Sequence, residues 1–494
     1  MAVNLRRSPR IPSAHLDAWS RRLPSVVGAL AGGRPTRREL AGPTDLAAAL
    51  RGVADLHDHG HVWLLLAVLT GRLPDETTVL ETVRACELED TAALWETLAR
   101  ETTAASSTWH VRVAVEEVLV DVAHTVSTPL TTGIQRVARE TVGRWLRDQE
   151  CTPVAWTRDF EAIRELTPLE HDRITLKRAA VDTADDAETT VVVPWRASYA
   201  VPELAAEPGR STRLLALARF SPNRTGVIGF DCVPLTSAET TATGFSAVFA
   251  GNLAAVRHFD VVAAISDAAR TEYQGWRSML EAIGQSGPDV VSVPLAVEAA
   301  ASSPQDVEAA RRDMLVGSLP LVLVVGSHEP RKNHLAILHA AETLWRDGVE
   351  FSLSFIGGNS WGSEAFTGAL AGLQRAGRPV DARSRATDAQ LWSAYRVARC
   401  TVFPSFNEGF GLPVAESLAV GTPAITSGFG SMLEIARDGG ALTVDPRDDH
   451  AIARAMRALV TDDVLHARLS AAARARAPRS WDDYAAETWD LLVG

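Results

Sequence analysis

The chain has 494 residues, a formal net charge of −12 at pH 7 and 46 % hydrophobic residues. This length and composition predict two to three domains with ample cores, and the acidic balance argues against a general affinity for nucleic acid. The four cysteines are scattered without a CxxC pair. Their spacing argues against a disulfide framework or a zinc site and favours a reducing compartment.

The first 38 residues are basic, because eight arginines stand against Asp17 alone and give a local charge of +7. These arginines are Arg6, Arg7, Arg10, Arg21, Arg22, Arg34, Arg37 and Arg38. Two interpretations stay open, a solvated terminus or contact with an anionic membrane surface. No signal peptide is expected, and the apolar run Val62–Leu69 is too short to cross a bilayer. The sequence predicts a cytoplasmic protein, with peripheral contact at the inner membrane face as an open addition.

Residues 1–108 are predicted to form a helical extension, since apolar residues recur there at helical spacing without strand-like alternation. The helical stretches are 46–50, 62–69, 77–88 and 91–98. Within the extension, His57 and His61 could share a helix face and hold a metal. Gly60 interrupts such a helix, so we favour a polar helix start at this position.

Residues 109–300 change to alternating strands and helices, which predicts a first Rossmann-like domain. The β-branched run Val111–Val120 is interpreted as its first strand, and Ile134–Leu146 as the helix that follows. Arg136 and Arg139 lie on one side of this helix, which leaves open either an ordinary side facing solvent or a functional one. Further strands are predicted at Thr152–Trp156, Thr190–Pro194, Arg213–Leu217, Gly226–Ile228, Val261–Ile265 and Val290–Val293.

Residues 301–478 show a regular alternation of strands and helices, which predicts a second Rossmann-like domain. Its strands are expected at Leu321–Val325, Phe351–Ile356, near Val380, and at Thr401–Phe403, Ala424–Thr426 and Leu442–Val444. The fold class is therefore α/β, with two doubly wound domains facing a cleft. Ligands normally bind in such a cleft, at the carboxyl ends of the strands.

Glu408 and Glu416 flank a glycine-rich turn that leads from a strand into a helix opening near Leu412. Free N–H groups at a helix start attract anions, above all phosphate. Two carboxylates beside an anion site are useful if they serve a neutral, hydroxyl-rich group such as a ribose or a sugar ring. The turn therefore predicts a nucleotide-sugar site.

Arg331 and Lys332 follow the predicted strand Leu321–Val325, so they are expected at the same sheet edge as the Glu408 turn. Cations and fixed N–H dipoles both stabilise a departing diphosphate. No Asp-x-Asp follows a strand in this half, which predicts metal-independent chemistry. No GxGxxG follows a strand, so no nicotinamide or flavin dinucleotide is expected, and the Walker A pattern is absent as well.

Glu408-x7-Glu416 within residues 404–416 resembles the E-x7-E signature of the family 4 glycosyltransferases, which have the GT-B architecture. The loop 326–333 is similar to the Glu-Pro-Arg-Lys-Asn segment of that family. Residues 131–137 resemble its first glycine loop and helix, and segments 259–272 and 481–488 also look like family segments. The likeness covers about residues 110–494 and leaves the helical extension outside.

The resemblance implies retaining transfer of a hexose from a nucleoside diphosphate sugar to a saccharide, lipid-linked or small-molecule acceptor. Glu408 would hold hydroxyls of the donor sugar and Glu416 those of the ribose, while Arg331 and Lys332 would bind the diphosphate. Gly133 would approach the donor across the cleft. The implied donor-binding residues are Gly133, Gly326, Gly409, Phe410, Gly411, Leu412 and Glu416. The implied catalytic residues are Arg331, Lys332, Glu408 and Asp231.

By the same resemblance, residues 479–494 would form a helix that crosses back to the first domain. Many relatives have His-Asp where this chain has Phe230-Asp231, so only Asp231 is kept there, and His124 and His258 are interpreted as structural. The segment 380–385 lacks the usual glycine, which leaves the nucleobase open. The glycine loop resembles that of polysaccharide-building members, many of which use GDP-mannose or a deoxyhexose donor.

Two rival interpretations of the function stay open. The first is a phosphorylase or nucleotide-sugar epimerase on the same scaffold. The second is a non-catalytic or regulatory partner protein, in which the helical extension binds another protein or a membrane.

Overall fold

The computed structural model describes residues 11–32, 39–128, 133–175 and 189–494. These residues form a nine-stranded sheet and a six-stranded sheet, each flanked by helices, with a group of helices before the first sheet. The opening helices are α1 (Ser13–Ala31), α2 (Pro43–Leu50), α3 (His59–Thr70), α4 (Glu76–Glu89), α5 (Thr91–Glu101) and α6 (Ala104–Thr108). The prediction of two Rossmann-like α/β domains preceded by helices is confirmed.

The opening helices share one apolar core with the nine-stranded sheet. Helix α3 is buried from Val62 to Thr70. Its start is polar, as predicted, because the Asp58 carboxylate caps the helix and accepts a hydrogen bond of 2.9 Å from the N–H of His61. The His61 Nδ1 in turn accepts a 3.0 Å bond from the N–H of Asp55. Within the described ranges, no group of three or more His, Cys, Asp or Glu side chains is arranged to hold a metal.

Arg22 shows that the basic N-terminus is partly structural. Its side chain is buried, and the guanidinium donates 2.8 Å hydrogen bonds to the carbonyls of Leu69 and Trp109, which ties α1 to the end of α3 and to the chain after α6. Arg21 bonds the carbonyl of Ser107. The other arginines of the basic segment lie outside the described residues. No helix of the described part is long and apolar enough to span a bilayer.

The nine-stranded sheet has the order β1-β5-β4-β3-β2-β6-β7-β8-β9 and is parallel except for β4, which runs antiparallel to β3 and β5. Its strands are β1 (His110–Val115), β2 (Val118–Asp121), β3 (Thr152–Trp156), β4 (Ile163–Glu165), β5 (Thr190–Trp195), β6 (Ser198–Val201), β7 (Arg224–Gly229), β8 (Val261–Ala264) and β9 (Asp289–Ser292). Its helices are α7 (Ala123–Ser127), α8 (Gly133–Asp148), α9 (Pro168–Ile174), α10 (Pro208–Phe220), α11 (Val233–Thr236), α12 (Phe245–Val256) and α13 (Asp267–Ala282). We call this unit, with the opening helices, the first domain.

Two predictions for the first domain are wrong. Arg213–Leu217 is not a strand but lies inside helix α10, where Leu214 and Leu217 are three residues apart and both face the core. The single strand predicted over Val111–Val120 is divided at Glu116, whose φ of 58° turns the chain. The two halves then separate, because β1 pairs with β5 while β2 lies between β3 and β6.

The six-stranded sheet is parallel and has the order β12-β11-β10-β13-β14-β15. Its strands are β10 (Leu321–Val325), β11 (Ser352–Ile356), β12 (Val380–Arg383), β13 (Cys400–Phe403), β14 (Ala424–Ser427) and β15 (Ala441–Val444). Its helices are α14 (Pro304–Met314), α15 (His334–Arg346), α16 (Glu364–Arg375), α17 (Asp388–Val397), α18 (Leu412–Ala419), α19 (Gly430–Arg437), α20 (Asp449–Thr461) and α21 (Asp463–Arg474). We call this unit the second domain.

The strand order of the second domain reverses between β10 and β13. The chain first runs outward from β10 to β12, then returns to β13 and runs outward in the other direction. The connections after the two central strands therefore lead in opposite directions along the sheet, and ligands bind at the carboxyl edge of such a reversal in doubly wound sheets. The last helix, α22 (Trp481–Leu492), lies against the first domain, where Trp145 Nε1 donates a 2.8 Å bond to the carbonyl of Ala485.

Candidate active site

The loops after β10 and β13 meet at the strand-order reversal and are bound to each other through their backbones. The N–H of Phe406 donates to the carbonyl of Arg331 at 2.9 Å, and Ser405 Oγ lies 3.0 Å from the same carbonyl oxygen. In return, Arg331 Nη1 donates to the carbonyl of Asn407 at 2.7 Å. These bonds hold the two signature loops as one unit.

Glu408 is paired with both predicted cations. Its Oε2 lies 2.6 Å from Arg331 Nη1, its Oε1 lies 2.6 Å from Lys332 Nζ, and Ser405 Oγ donates to the same Oε1 at 2.8 Å. Burial opposes ionisation of this carboxyl, but the charges of Arg331 and Lys332 outweigh it and lower the pKa of Glu408 to about 2. Glu408 is therefore a carboxylate at any pH near neutrality.

Glu329 adds a second carboxylate to this cluster, with its Oε1 2.7 Å from Arg331 Nη2 and 3.9 Å from Lys332 Nζ. Burial raises the pKa of Glu329 and lowers that of Lys332, while the pairing with Glu408 acts to raise the pKa of Lys332. The ammonium of Lys332 also lies 4.9 Å from the centre of the Phe403 ring. The cluster thus holds opposite charges in a largely buried environment, where electrostatic interactions are stronger than in water.

Two of the predicted glycines lie where a left-handed backbone is needed. Gly326 follows β10 with a φ of 142°, and Gly411 precedes α18 with a φ of 108°. Gly411 has no side chain that could cap α18, and an uncapped helix start attracts anions. The predicted anion site after the glycine turn would lie at this helix start, and it stays a prediction.

Glu416 is buried in α18, and each of its carboxylate oxygens has a partner. Tyr395 in α17 donates its hydroxyl to Oε2 at 2.7 Å, and Arg136 in α8 of the first domain pairs with Oε1. Burial raises the pKa of Glu416, while Arg136 and the Tyr395 hydroxyl act in the opposite direction. The carboxylate predicted to bind a ribose is therefore also a contact between the two domains.

Asp231 faces the signature turn from the first domain, directly after β7. A Cβ atom on Gly409 would lie 2.2 Å from the carbonyl oxygen of Phe230 and 3.0 Å from Asp231 Oδ2. The carbonyl of Gly409 accepts a 2.6 Å bond from Ser266 Oγ. Burial raises the pKa of Asp231 to about 6, against the attraction of Arg331 and with the repulsion of Glu272.

The remaining predicted site residues line the same cleft. Gly133 starts α8, and a Cβ atom there would lie 3.6 Å from Leu412 Cδ1. Phe410 and Leu412 of the second domain pack against the core of the first domain. The rest of the first glycine loop, Thr131 and Thr132, lies outside the described residues. The structure therefore places the predicted catalytic and donor-binding residues along one cleft.

Of the two alternatives left open for the arginines of the helix Ile134–Leu146, an ordinary solvent-facing side does not agree with the structure. Arg139 is buried, and Arg136 pairs with Glu416 instead of facing solvent. Glu329 and Tyr395 were given no role in the site from the sequence. Glu329 was visible as a carboxylate two residues before Arg331, whereas Tyr395 reaches Glu416 from a separate helix and carried no local signal.

His124 belongs to a different, structural network around Arg210. The Arg210 guanidinium is fully buried between Asp121 and Glu203, with Nη2 2.9 Å from Asp121 Oδ1 and 2.8 Å from Glu203 Oε1. The N–H of His124 donates to Glu203 at 2.6 Å, and the hydrogen bond between its Nδ1 and Glu207 raises the pKa of His124. This network holds the chain that follows β2.

Comparison with known proteins links the site to a family. Residues 307–476 match the family described as Glycosyl transferases group 1. The O-antigen chain mannosyltransferase B of Escherichia coli is 31 % identical over 34 % of this chain and 44 % of its own length. The D-inositol 3-phosphate glycosyltransferase of Acidothermus cellulolyticus is 34 % identical over 45 % of this chain and 52 % of its own. The chain thus spans about half the length of the curated relatives it matches.

Solved structures share the fold at low sequence identity. Sucrose-phosphate synthase from Thermosynechococcus elongatus has a TM-score of 0.56 and 16 % identity, over 76 % of this chain and 98 % of that chain. WaaG, a glycosyltransferase involved in lipopolysaccharide biosynthesis, has a TM-score of 0.53 and 15 % identity, over 76 % of this chain and all of that chain. Together with the two-domain cleft, these likenesses show that the chain has the GT-B fold, and its residues 307–476 match the glycosyl transferases group 1 family.

Proposed function

We propose that this protein is a retaining glycosyltransferase that moves a hexose from a nucleoside diphosphate sugar to an acceptor hydroxyl. The observation that carries the proposal is the cluster at the β10–β13 reversal, where Arg331 and Lys332 both pair with Glu408 at 2.6 Å. Cations beside a hydroxyl-binding carboxylate are what a sugar diphosphate requires. The family match supports the reaction class.

The two cations would stabilise the leaving group without a metal. As the bond between C1 of the sugar and the diphosphate oxygen breaks, negative charge grows on that oxygen, and Arg331, Lys332 and the N–H groups of Gly409 to Leu412 bind it more strongly. Electrostatic attraction gains strength in a site from which water is excluded. These residues are already held in place by Glu408 and Glu329, so little reorganisation is needed during the step.

Retention would follow from attack on the face that the diphosphate leaves. The C1–O bond to the acceptor forms there as the C1–O bond to the diphosphate breaks, and the acceptor proton passes to the departing phosphate oxygen. Glu408 would hold hydroxyls of the sugar and Glu416 those of the ribose. Gly133 would come close to the donor from the first domain, and Asp231 would accept a hydrogen bond from a hydroxyl near C1.

For the donor substrate, we favour a mannose-type nucleotide sugar such as GDP-mannose. Several relatives from Escherichia coli are named mannosyltransferases, although the solved structure of Anabaena Alr3699/HepE holds UDP and glucose. The acceptor would be a saccharide or a lipid-linked saccharide in polysaccharide synthesis, and the protein would act in the cytoplasm. Contact with the inner membrane face would rest on the N-terminal arginines other than Arg22, whose guanidinium is buried.

A thermal-shift screen with UDP, GDP, ADP and dTDP tests the proposal. A nucleotide at one hundred times its Kd stabilises a protein by about 2.7 kcal/mol, which raises Tm by about 5 to 10 °C for domains of this size. The nucleotide found is then supplied as its mannose or glucose conjugate, and the anomeric configuration of the product is read by NMR. Stabilisation by none of the four diphosphates would contradict the proposal. A requirement for inorganic phosphate, or a free epimer as product, would instead favour a phosphorylase or an epimerase.

A further inference from the structure

A buried ion pair joins the two domains at the place proposed for the ribose. Arg136 of α8 pairs with Oε1 of Glu416, and the Tyr395 hydroxyl holds Oε2 at 2.7 Å. The Glu416 side chain is 4 % exposed and that of Arg136 is 25 % exposed. A ribose that approaches this carboxylate therefore competes with Arg136 for Oε1, because the Tyr395 hydroxyl already bonds to the other oxygen.

Arg136 lies in the first turn of α8, whose start contacts the start of α18. Arg136 is three residues after Gly133, where α8 begins, and Gly133 faces Leu412 at the start of α18. Both helix starts carry partial positive charge and favour an anion nearby. Besides Glu416, the guanidinium approaches the ring of Trp392, 5.9 Å from its centre. Once separated from Glu416, Arg136 would be a cation in a region that favours an anion.

The charges of the signature loops create a need for such a cation. Arg331 and Lys332 are matched by Glu408 and Glu329 within one cluster. A diphosphate brings at least two negative charges to this cluster, and the neutral sugar and ribose bring none. The ribose hydroxyls can replace the guanidinium as partners of Glu416. The positive charge of Arg136 is then available to pair with the diphosphate of the same ligand.

We propose that Arg136 binds the diphosphate of the donor, after the ribose hydroxyls replace it at Glu416. Through this exchange, helix α8 of the first domain would contact the phosphates directly, together with Arg331 and Lys332 of the second domain. This inference rests on the proposed function, because it assumes a nucleoside diphosphate as ligand. It goes beyond that function by assigning a phosphate contact to a first-domain side chain.

Isothermal titration calorimetry on the full-length chain tests the exchange with two probes. These are the nucleoside diphosphate that stabilises the wild type and the matching nucleoside, which has no phosphate. For Arg136→Gln, we expect the diphosphate to bind about 10- to 100-fold more weakly, as for the loss of one hydrogen-bonded charge pair. The nucleoside should bind as well as before or better, because Arg136 no longer competes for Glu416.

Arg144→Gln is the matched control on the same helix. Arg144 is 19 % exposed and pairs with Asp482 and Glu140, away from the cleft, so its loss should leave the affinities of both probes unchanged. Arg136→Lys keeps the positive charge and should recover most of the affinity for the diphosphate. This variant tests the proposal even if the glutamine variant fails to fold.

Three results would overturn the inference. If Arg136→Gln binds the diphosphate as tightly as the wild type or more tightly, Arg136 only pairs with Glu416 and does not contact the diphosphate. If the affinities for both probes fall equally, its role is structural. If the wild type binds none of the four diphosphates, the proposed function fails and this inference fails with it.

Discussion

Gly409→Ala is expected to disrupt the contact between the two domains while leaving the stability of each domain nearly unchanged. The φ of Gly409 is not among the positive values of the described backbone, so alanine suits its local conformation. The added Cβ would nevertheless lie 2.2 Å from the carbonyl oxygen of Phe230 in the other domain. Because ordinary C···O contacts are about 3.3 Å or longer, the two backbones must move apart by about 1 Å.

The cost of this movement can be worked from the hydrogen bonds that cross the cleft at the same point. Ser266 Oγ donates to the Gly409 carbonyl at 2.6 Å, and Asn407 Nδ2 donates to Glu272 at 2.9 Å. Loss of one neutral bond and one bond to a carboxylate costs about 2 to 4 kcal/mol of closure free energy. If turnover needs the closed cleft, it falls about 30-fold or more, since each 1.4 kcal/mol corresponds to a factor of ten.

Three measurements check this prediction. Small-angle scattering should show a larger radius of gyration, turnover should fall as stated, and Tm should change by only a few degrees because each domain keeps its own core. Gly411→Ala is the contrasting variant, since its φ of 108° makes the strain local. It should lower the unfolding free energy by about 1 to 3 kcal/mol without changing the scattering. Wild-type scattering together with wild-type turnover in Gly409→Ala would refute the reasoning.

Three further substitutions give distinct outcomes. Lys332→Ala should lower turnover about 100- to 1000-fold, as for loss of one group that stabilises developing charge, while the circular dichroism spectrum is kept; an active variant would remove Lys332 from the mechanism. Arg210→Ala leaves Asp121 and Glu203 buried without their cation, so urea denaturation should show a loss of about 3 to 5 kcal/mol, and a loss below about 1 kcal/mol would contradict the role of the network. Burial raises the folded-state pKa of Asp231 to about 6, above its unfolded value near 4, so ionising it costs stability as the pH rises through this window. Asp231→Asn should therefore have a higher Tm than the wild type at pH 7 and an equal Tm below about pH 4, and equal Tm values at pH 7 would contradict this assignment.

The second domain could be predicted almost element by element. Its strands are short, apolar and buried on both faces, and each is followed by a glycine or a polar cap and then an amphipathic helix, so β10 and β11 fall within one residue of their expected bounds. The first domain was harder. Arg213–Leu217 is a short apolar run that fits a strand or a helix equally. Its helical conformation in α10 depends on packing against the sheet, which the local sequence pattern does not show.

The sequence alone determined the groups that we propose carry the chemistry, because they stand in short segments whose geometry is local. A strand, a glycine turn and a helix start fix where Glu408 and the N–H groups of α18 point, and the loop after β10 places Arg331 and Lys332 beside them. Tertiary structure alone decided that Arg136 meets Glu416. That contact depends on how two sheets face each other across a cleft, which periodicity within one segment does not encode.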